Sequence, residues 1–325
     1  MLRALTLLRR TIYRFVGWKG VGVAISIIIL LLAFIALARA FNKIDFDQVL
    51  AAMLSTSMSR IATAVTLITA SYCSLTLYDL FALRMIGRRD IPYPVIVLAS
   101  ATSYPIAHGV GAVLPISTAI RYRVYSTHGL GAADVAKVCF LTGLTFWLGN
   151  LTALGLSILY QPDAVSLLDY ASGEVNRLLA VALLAAISGY LYWTWGSTRK
   201  IGRRNWSVNL PAGRIALLQI GIGIFDLGCA ALAMYQLIPA EMNMALPRVI
   251  AVFITATLLG FLSHAPAGLG VFDAAILVGL GFAGEEQLVA ALLLFRLFYH
   301  FLPFVLALTA FTAREGRRGL ARRRT

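Results

Sequence analysis

Four ionisable side chains stand inside otherwise apolar stretches: Asp79, Asp226, Asp273 and Arg296. A charge at the centre of a hydrocarbon layer costs about 2.5–3.5 kcal/mol even on the most lenient scale, so each is expected to face a partner or a wet cavity. Asp273 and Arg296 are the natural pair, because Asp273 closes a segment broken by glycine and proline and Arg296 lies on the apolar run that follows. Such a pair serves either a binding path or simple anchorage of the last run. Asp79 and Arg84 are five apart, outside the spacings that favour a bridge along one helix, and are read as structural or gating contacts. Asp226 stands near Gly221, Gly223 and Gly228, where helices can approach closely, and is read as a polar contact between helices.

Two apolar stretches are interrupted in a similar way, SYPIAHGVGAVLP at 103–115 and SHAPAGLGVFD at 263–273. Gly109, Gly111, Gly268 and Gly270 permit tight turns, and the helix ends they create offer unpaired N–H groups to an anion. Pro105, Pro115 and Pro266 are expected to stop helices. No Lys-Ser/Thr follows the glycines, which excludes a nucleotide loop. His108 and His264 recur in the two stretches; they suit headgroup binding or a proton relay, and equally an ordinary satisfied hydrogen bond. Beyond the first stretch come Arg121, Tyr122, Arg123 and Tyr125. Guanidinium forks beside phenols suit a phosphodiester, while anchoring at a membrane interface explains the same residues more plainly.

Catalytic patterns are missing: there is no H-E-x-x-H, no G-x-S-x-G and no convincing Ser/His/Asp set. Cys73, Cys139 and Cys229 all sit in apolar runs without C-x-x-C spacing and are expected to be packing residues. No enzyme activity, metal or cofactor is therefore expected of this chain.

The elements that must position these groups are membrane elements. Hydrophobic residues make up 60% of the 325 and charged residues 13%, with a mean hydropathy of +0.82, more than one soluble core can enclose. Six runs are long enough to cross about 30 Å of hydrocarbon as helices, at 21–38, 61–83, 138–160, 178–195, 215–238 and 288–311. Two further regions, with arms 94–107 and 109–120 and arms 249–262 and 271–283, are too short in each arm and read as re-entrant hairpins. The expected fold is an all-α polytopic membrane protein with eight hydrophobic segments, six full spans plus two hairpins.

Charge sets the orientation. The formal +14 suggests nucleic acid, but with both ends inside, 22 of the 28 Lys and Arg fall in inner segments, as the positive-inside rule describes. Residues 1–20 form a basic cytoplasmic start, 21–313 the membrane domain, and 314–325 a polybasic tail at the inner surface. The first run is read as a span rather than a cleaved leader, although Ala36-Leu37-Ala38 resembles a cleavage site. Halves 21–160 and 178–311 each read span, span, hairpin, span in opposite orientation, and His108 precedes His264 by 156 residues. That is the pattern of an inverted repeat with a site between its halves.

Four motifs carry a family resemblance: YDLFALR at 78–84, AIRYRVYSTHGL at 119–130, SHAPAGLGVFD at 263–273 and RLFYHFLP at 296–303. Together they span most of 60–310, and the second and third are the more specific. The chain resembles the membrane domain of the lysylphosphatidylglycerol synthetase/flippase family, in its form without the soluble synthetase domain. The resemblance implies movement of an anionic phospholipid, or its aminoacylated form, between the leaflets of the inner membrane. On the reading of the residues themselves, Arg121, Arg123 and Arg296 are expected to supply positive charge, hairpin N–H groups to orient the phosphate, and Asp273 to hold or gate Arg296, with Tyr299 beside them. Two departures stand out. The family pattern is closer to P-G-G-L-G-V-F-E, where this chain has Ala267 and ends in Asp273; and the basic tail to Thr325 leaves no room for an aminoacyl-transferring domain, so synthetase activity is expected on another polypeptide. Two other functions remain open: transport of a non-lipid or isoprenoid-phosphate substrate, and a non-transporting membrane partner that recruits a lipid-modifying enzyme through Arg199, Lys200, Arg203 and Arg204.

Overall fold

A computed structural model describes residues 45–169, 171–196, 199–203, 206–281 and 285–322. The basic stretch 1–20, the predicted span 21–38, Arg204 and residues 323–325 lie outside the described residues. The described part starts with a short helix, α1 (Phe46–Ser55), capped by the Asp45 carboxylate, which accepts from the Asp47 and Gln48 N–H groups. Then come α2 (Met58–Met85), α3 (Tyr93–Val110), α4 (Val113–Tyr125), α5 (Ala132–Tyr160) and α6 (Gly173–Thr194). A two-stranded antiparallel ribbon, β1 (Lys200–Arg203) with β2 (Trp206–Asn209), precedes α7 (Gly213–Leu237). The chain closes with α8 (Leu246–Leu262), α9 (Val271–Gly279), α10 (Glu286–Arg296), a π turn (Leu297–Phe301) and α11 (Leu302–Arg322).

Five helical stretches among the described residues are long and apolar enough to cross a membrane: α2, α5, α6, α7 and the continuous run Glu286–Gly316. The shortest, α6, has 22 residues and so reaches about 33 Å, enough for the hydrocarbon core. Its Leu178, Leu179, Val181 and Trp193 point away from the protein, which suits lipid and not water. The protein is thus an all-α polytopic membrane protein carrying one small β-ribbon that the sequence reading did not anticipate. Nor did that reading foresee α1, which packs on α10.

The centre is built by α7 against α2 and α5. A Cβ placed on Gly149 of α5 would lie 2.5 Å from the Cα of Gly223 on α7. The two backbones therefore touch with nothing between them, a small-residue crossing of the kind that holds helices together in lipid.

Both broken stretches are helical hairpins. In the first, α3 ends at Gly111 in the left-handed conformation (φ 83°), its N–H donating to the Ala107 and His108 carbonyls, and α4 begins two residues later. The break is narrower than the sequence suggests, and His108 and Gly109 belong to α3. Pro105 does not stop the helix but lies inside it; a missing N–H is tolerated where neighbouring helices surround the freed carbonyl. Pro115 falls in the first turn of α4, where the N–H would have no helical partner anyway. In the second hairpin, α8 and α9 are parted by residues 263–270, which include a 3-10 turn (Pro266–Gly268). His264, Ala267, Gly268 and Gly270 all have positive φ there.

The two tips meet. A Cβ on Gly111 would sit 2.8 Å from the His264 carbonyl oxygen and 2.8 Å from the Pro266 nitrogen, so no larger residue fits between the hairpins. A further irregularity lies between α10 and α11. Pro303 has no N–H to give the Tyr299 carbonyl four residues back, and the Tyr72 hydroxyl of α2 donates to that carbonyl instead at 2.8 Å. The lost helical bond is replaced by one from a neighbouring helix.

Candidate functional site

The hairpin tips border a cavity of about 500 Å³ lined by α3, α4, α5 and the second break, with Tyr104, His108, Ser117, Arg121, Phe146 and His264 on its wall. A narrower extension of about 100 Å³ adjoins it, sharing His108, Gly111, Phe146 and His264, and reaches Asn150, Asp226, Tyr299 and His300.

Arg121 is the largest fully buried side chain described. Its Nε and Nη2 donate to the Asp79 carboxylate at 2.9 and 2.8 Å, a bidentate pair of the strong fork geometry. The Tyr125 hydroxyl donates to the same carboxylate at 2.7 Å, the Tyr104 hydroxyl at 3.4 Å, and the guanidinium lies 4.5 Å from the Tyr104 ring centre. The pair is charge-neutral and its donors converge on one carboxylate. Helical spacing explains the selection. Residues 121 and 125 are four apart and share the inward face of α4, whereas Tyr122 is exposed and Arg123 turns outward to bond Glu315 at 2.8 Å. The four-residue cluster read as one site is therefore split between the interior and the outside. Asp79 is taken by Arg121 and not by Arg84, which lies in the last turn of α2, where a cation suits the helix dipole.

A second, largely buried pair joins α9 and α10. Arg296 Nη2 donates to Asp273 Oδ2 at 2.7 Å, its Nε bonds the other carboxylate oxygen, and Nη1 reaches the Ala267 carbonyl at 3.1 Å. Asp273 also accepts from the Gly270 N–H at 2.8 Å, which caps α9. One arginine thereby ties the break, α9 and α10 together. Phe272, 5.4 Å from the guanidinium, closes one face, and Tyr299 stacks on Phe295 with centroids 4.9 Å apart.

The recurring histidines both line the cavity. His108 Nδ1 bonds the Tyr104 carbonyl at 2.8 Å, and His264 Nδ1 bonds the Leu262 carbonyl at 2.9 Å. Gly109 leaves room for the Phe304 ring, 2.4 Å from where its Cβ would be, and Gly268 lies against Gly260. These glycines bring backbones and rings together.

Asp226 makes no ion pair among the described residues. Its Oδ1 accepts from the Ser71 hydroxyl at 2.5 Å and its Oδ2 from the Tyr78 hydroxyl at 3.2 Å. Ser71 and Tyr104 carry no sequence signal for these roles, because their partners come from other helices; Ser71 and Asp226 are 155 residues apart. Among the described residues no cluster of metal-ligating side chains occurs.

Fold and site define a multi-pass membrane protein with a mostly apolar cavity that carries a few polar side chains, Arg121, His108 and His264 among them. No family model matches the chain. It is 27% identical over 299 residues to the uncharacterized protein slr0712 of Synechocystis, covering 91% of this chain and 92% of that one. It is 27% identical over 301 residues to the inner membrane protein YbhN of Escherichia coli, covering 90% and 89%. It is also 28% identical over 252 residues to the phosphatidylglycerol lysyltransferase of Staphylococcus haemolyticus, covering 74% of this chain but only 28% of that protein. The chain is thus a membrane protein related to the membrane part of the lysylphosphatidylglycerol synthetase family.

Proposed function

We propose that the protein is a lipid transporter that moves an anionic or aminoacylated phospholipid between the leaflets of the inner membrane. The observation that carries this reading is the cavity where the two broken-helix tips meet, with Arg121 on its wall. Irregular backbone at membrane depth is affordable where it is enclosed by protein or lines a cavity, and paired broken helices at corresponding places in two halves are how inverted-repeat transporters build a substrate site. The tip-to-tip contact and the Ser71–Asp226 bond, both close to the 156-residue offset of the histidines, support the inverted repeat and the re-entrant course of the hairpins. The relationship to a phosphatidylglycerol lysyltransferase supports a phospholipid as cargo; on this proposal the chain is a transporter and a separate lipid-modifying enzyme is the source of an aminoacylated lipid.

In this mechanism the headgroup enters the cavity while its acyl chains stay in the bilayer. The phosphate shares Arg121 with Asp79, the Gly111 turn supplies backbone contacts, and rocking of the halves about their tips exposes the cavity to each leaflet in turn. The Asp273–Arg296 pair holds the second break in shape. The test is leaflet exchange of labelled phosphatidylglycerol and lysylphosphatidylglycerol in liposomes holding the purified protein, with Arg121→Ala as control. Exchange above protein-free liposomes that drops at least tenfold in the variant is expected. Absence of exchange with both lipids would overturn lipid transport in favour of a non-lipid cargo or a recruiting role.

A further inference from the structure

We infer that Asp226 is a proton-exchange site that couples passage of the lipid to a proton gradient. The inference rests on the lipid-transport reading and adds its energy source. Of the three aspartates in apolar context, two hold an arginine. Asp226 does not: its partners are the neutral hydroxyls of Ser71 and Tyr78, and among the described residues no arginine or lysine is paired with it. A carboxylate away from water and from any cation is neutralised most readily by a proton, so among the described residues this is the buried acid whose charge is uncompensated by a fixed partner.

Its setting gives the proton a route. Asp226 lines the narrow extension of the central cavity, which at about 100 Å³ is too small for a lipid headgroup. On that wall Asn150, 1% exposed, has its Oδ1 without a hydrogen-bond partner, as does His300 Nδ1. Buried acceptors left open call for a hydrogen-bonding guest, and water or hydronium fits the space. The Gly149–Gly223 contact brings Asn150 and Asp226 to this place, one residue and three residues along their helices from the crossing.

The ionisable groups around Asp226 are Tyr72 and Tyr78 on α2, Tyr104 and His108 on α3, Tyr299 and His300 at the π turn, His264 in the second break, and Cys229 on its own helix. None of them brings a fixed charge. One O–H bond forms on a carboxylate oxygen when the cavity faces the acidic side, and the same bond breaks when it faces the other. The proton is the only species exchanged at this site, and protonation frees the Ser71 and Tyr78 hydroxyls from a charged acceptor, which changes the contact between α2 and α7.

The experiment uses the full-length protein in phosphatidylglycerol-containing liposomes, with labelled lipid and an imposed pH difference, for the wild type, Asp226→Asn and Tyr78→Phe. In the wild type, labelled lipid accumulates in one leaflet and reverses with the gradient; in Asp226→Asn, which keeps the shape without the titrating oxygen, that accumulation is lost. Tyr78→Phe removes a donor that favours the ionised form, so the pH midpoint of accumulation moves upward. Accumulation by Asp226→Asn equal to wild type overturns the proposal, as does a wild type that exchanges lipid with no response to the gradient; the latter leaves lipid transport standing. A wild type that exchanges no lipid under any condition overturns both readings. If Asp226→Asn elutes as misfolded protein, an unmoved midpoint in Tyr78→Phe overturns the coupling on its own.

Discussion

At the residue scale, the buried Asp79–Arg121 pair makes the sharpest stability prediction. Removing one partner leaves a charge stranded among apolar groups, which costs about 3–5 kcal/mol, whereas removing both leaves none. Asp79→Leu and Arg121→Met are each expected to lower the unfolding midpoint in detergent strongly, and the double variant to be more stable than either. A double variant as unstable as the sum would show that the pair is not coupled. Ala267 offers the opposite effect. It holds φ 50°, a conformation that costs a side-chain-bearing residue about 1–2 kcal/mol, and Ala267→Gly is expected to raise stability by about 1 kcal/mol, read as a higher midpoint. The sequence made Asp273–Arg296 legible because both belong to neighbouring elements and their chemistry is complementary. It hid the partner of Asp79, since Arg121 lies 42 residues away on a helix whose facing direction only packing decides.

At the element scale, the Gly149–Gly223 crossing tolerates no side chain. Gly149→Val inserts atoms where two backbones touch and is expected to cost about 1–3 kcal/mol or more, read as a lower midpoint and a looser α5 in hydrogen exchange. In the connection between α2 and α3, Arg88 bonds Asp90 at 2.8 Å and also the His128 carbonyl, pinning this connection to the one after α4. The guanidinium holds the Asp90 carboxyl down at about 2, below an unfolded value near 3.9. The contact is therefore whole above pH 4 and is lost as pH falls toward 2, and protease cutting within residues 86–92 should rise over that interval and not between pH 5 and 8. Hairpin arms were legible from their length and their glycines. Pro105 misled, because a proline that ends a helix in water can be carried through one in a membrane, and the β-ribbon at 200–209 gave no clear alternating pattern.

At the scale of the whole molecule, the described spans follow from hydropathy alone, since length and apolarity decide what crosses a bilayer. The meeting of the two tips does not follow, because it depends on how separate hairpins pack. The orientation of the connections is open to direct measurement. In a Cys73→Ser background, which removes the one exposed cysteine, a reporter at Thr127→Cys on the exposed connection after α4 is expected to react from the cytoplasmic side only. Reaction from the outside would mean that the first hairpin crosses fully, which inverts the orientation of α5 and the segments that follow it.

Arg121 reaches the cavity with two of its nitrogens already engaged by Asp79. An arriving anion must compete with an internal one tethered at a high effective concentration. Such a site saturates late and empties quickly. If the proposed phospholipid is the cargo, it is itself a main component of the surrounding bilayer; scarcity is then not the difficulty and release is, and on that proposal the resident carboxylate acts as a built-in eluent that favours turnover over retention.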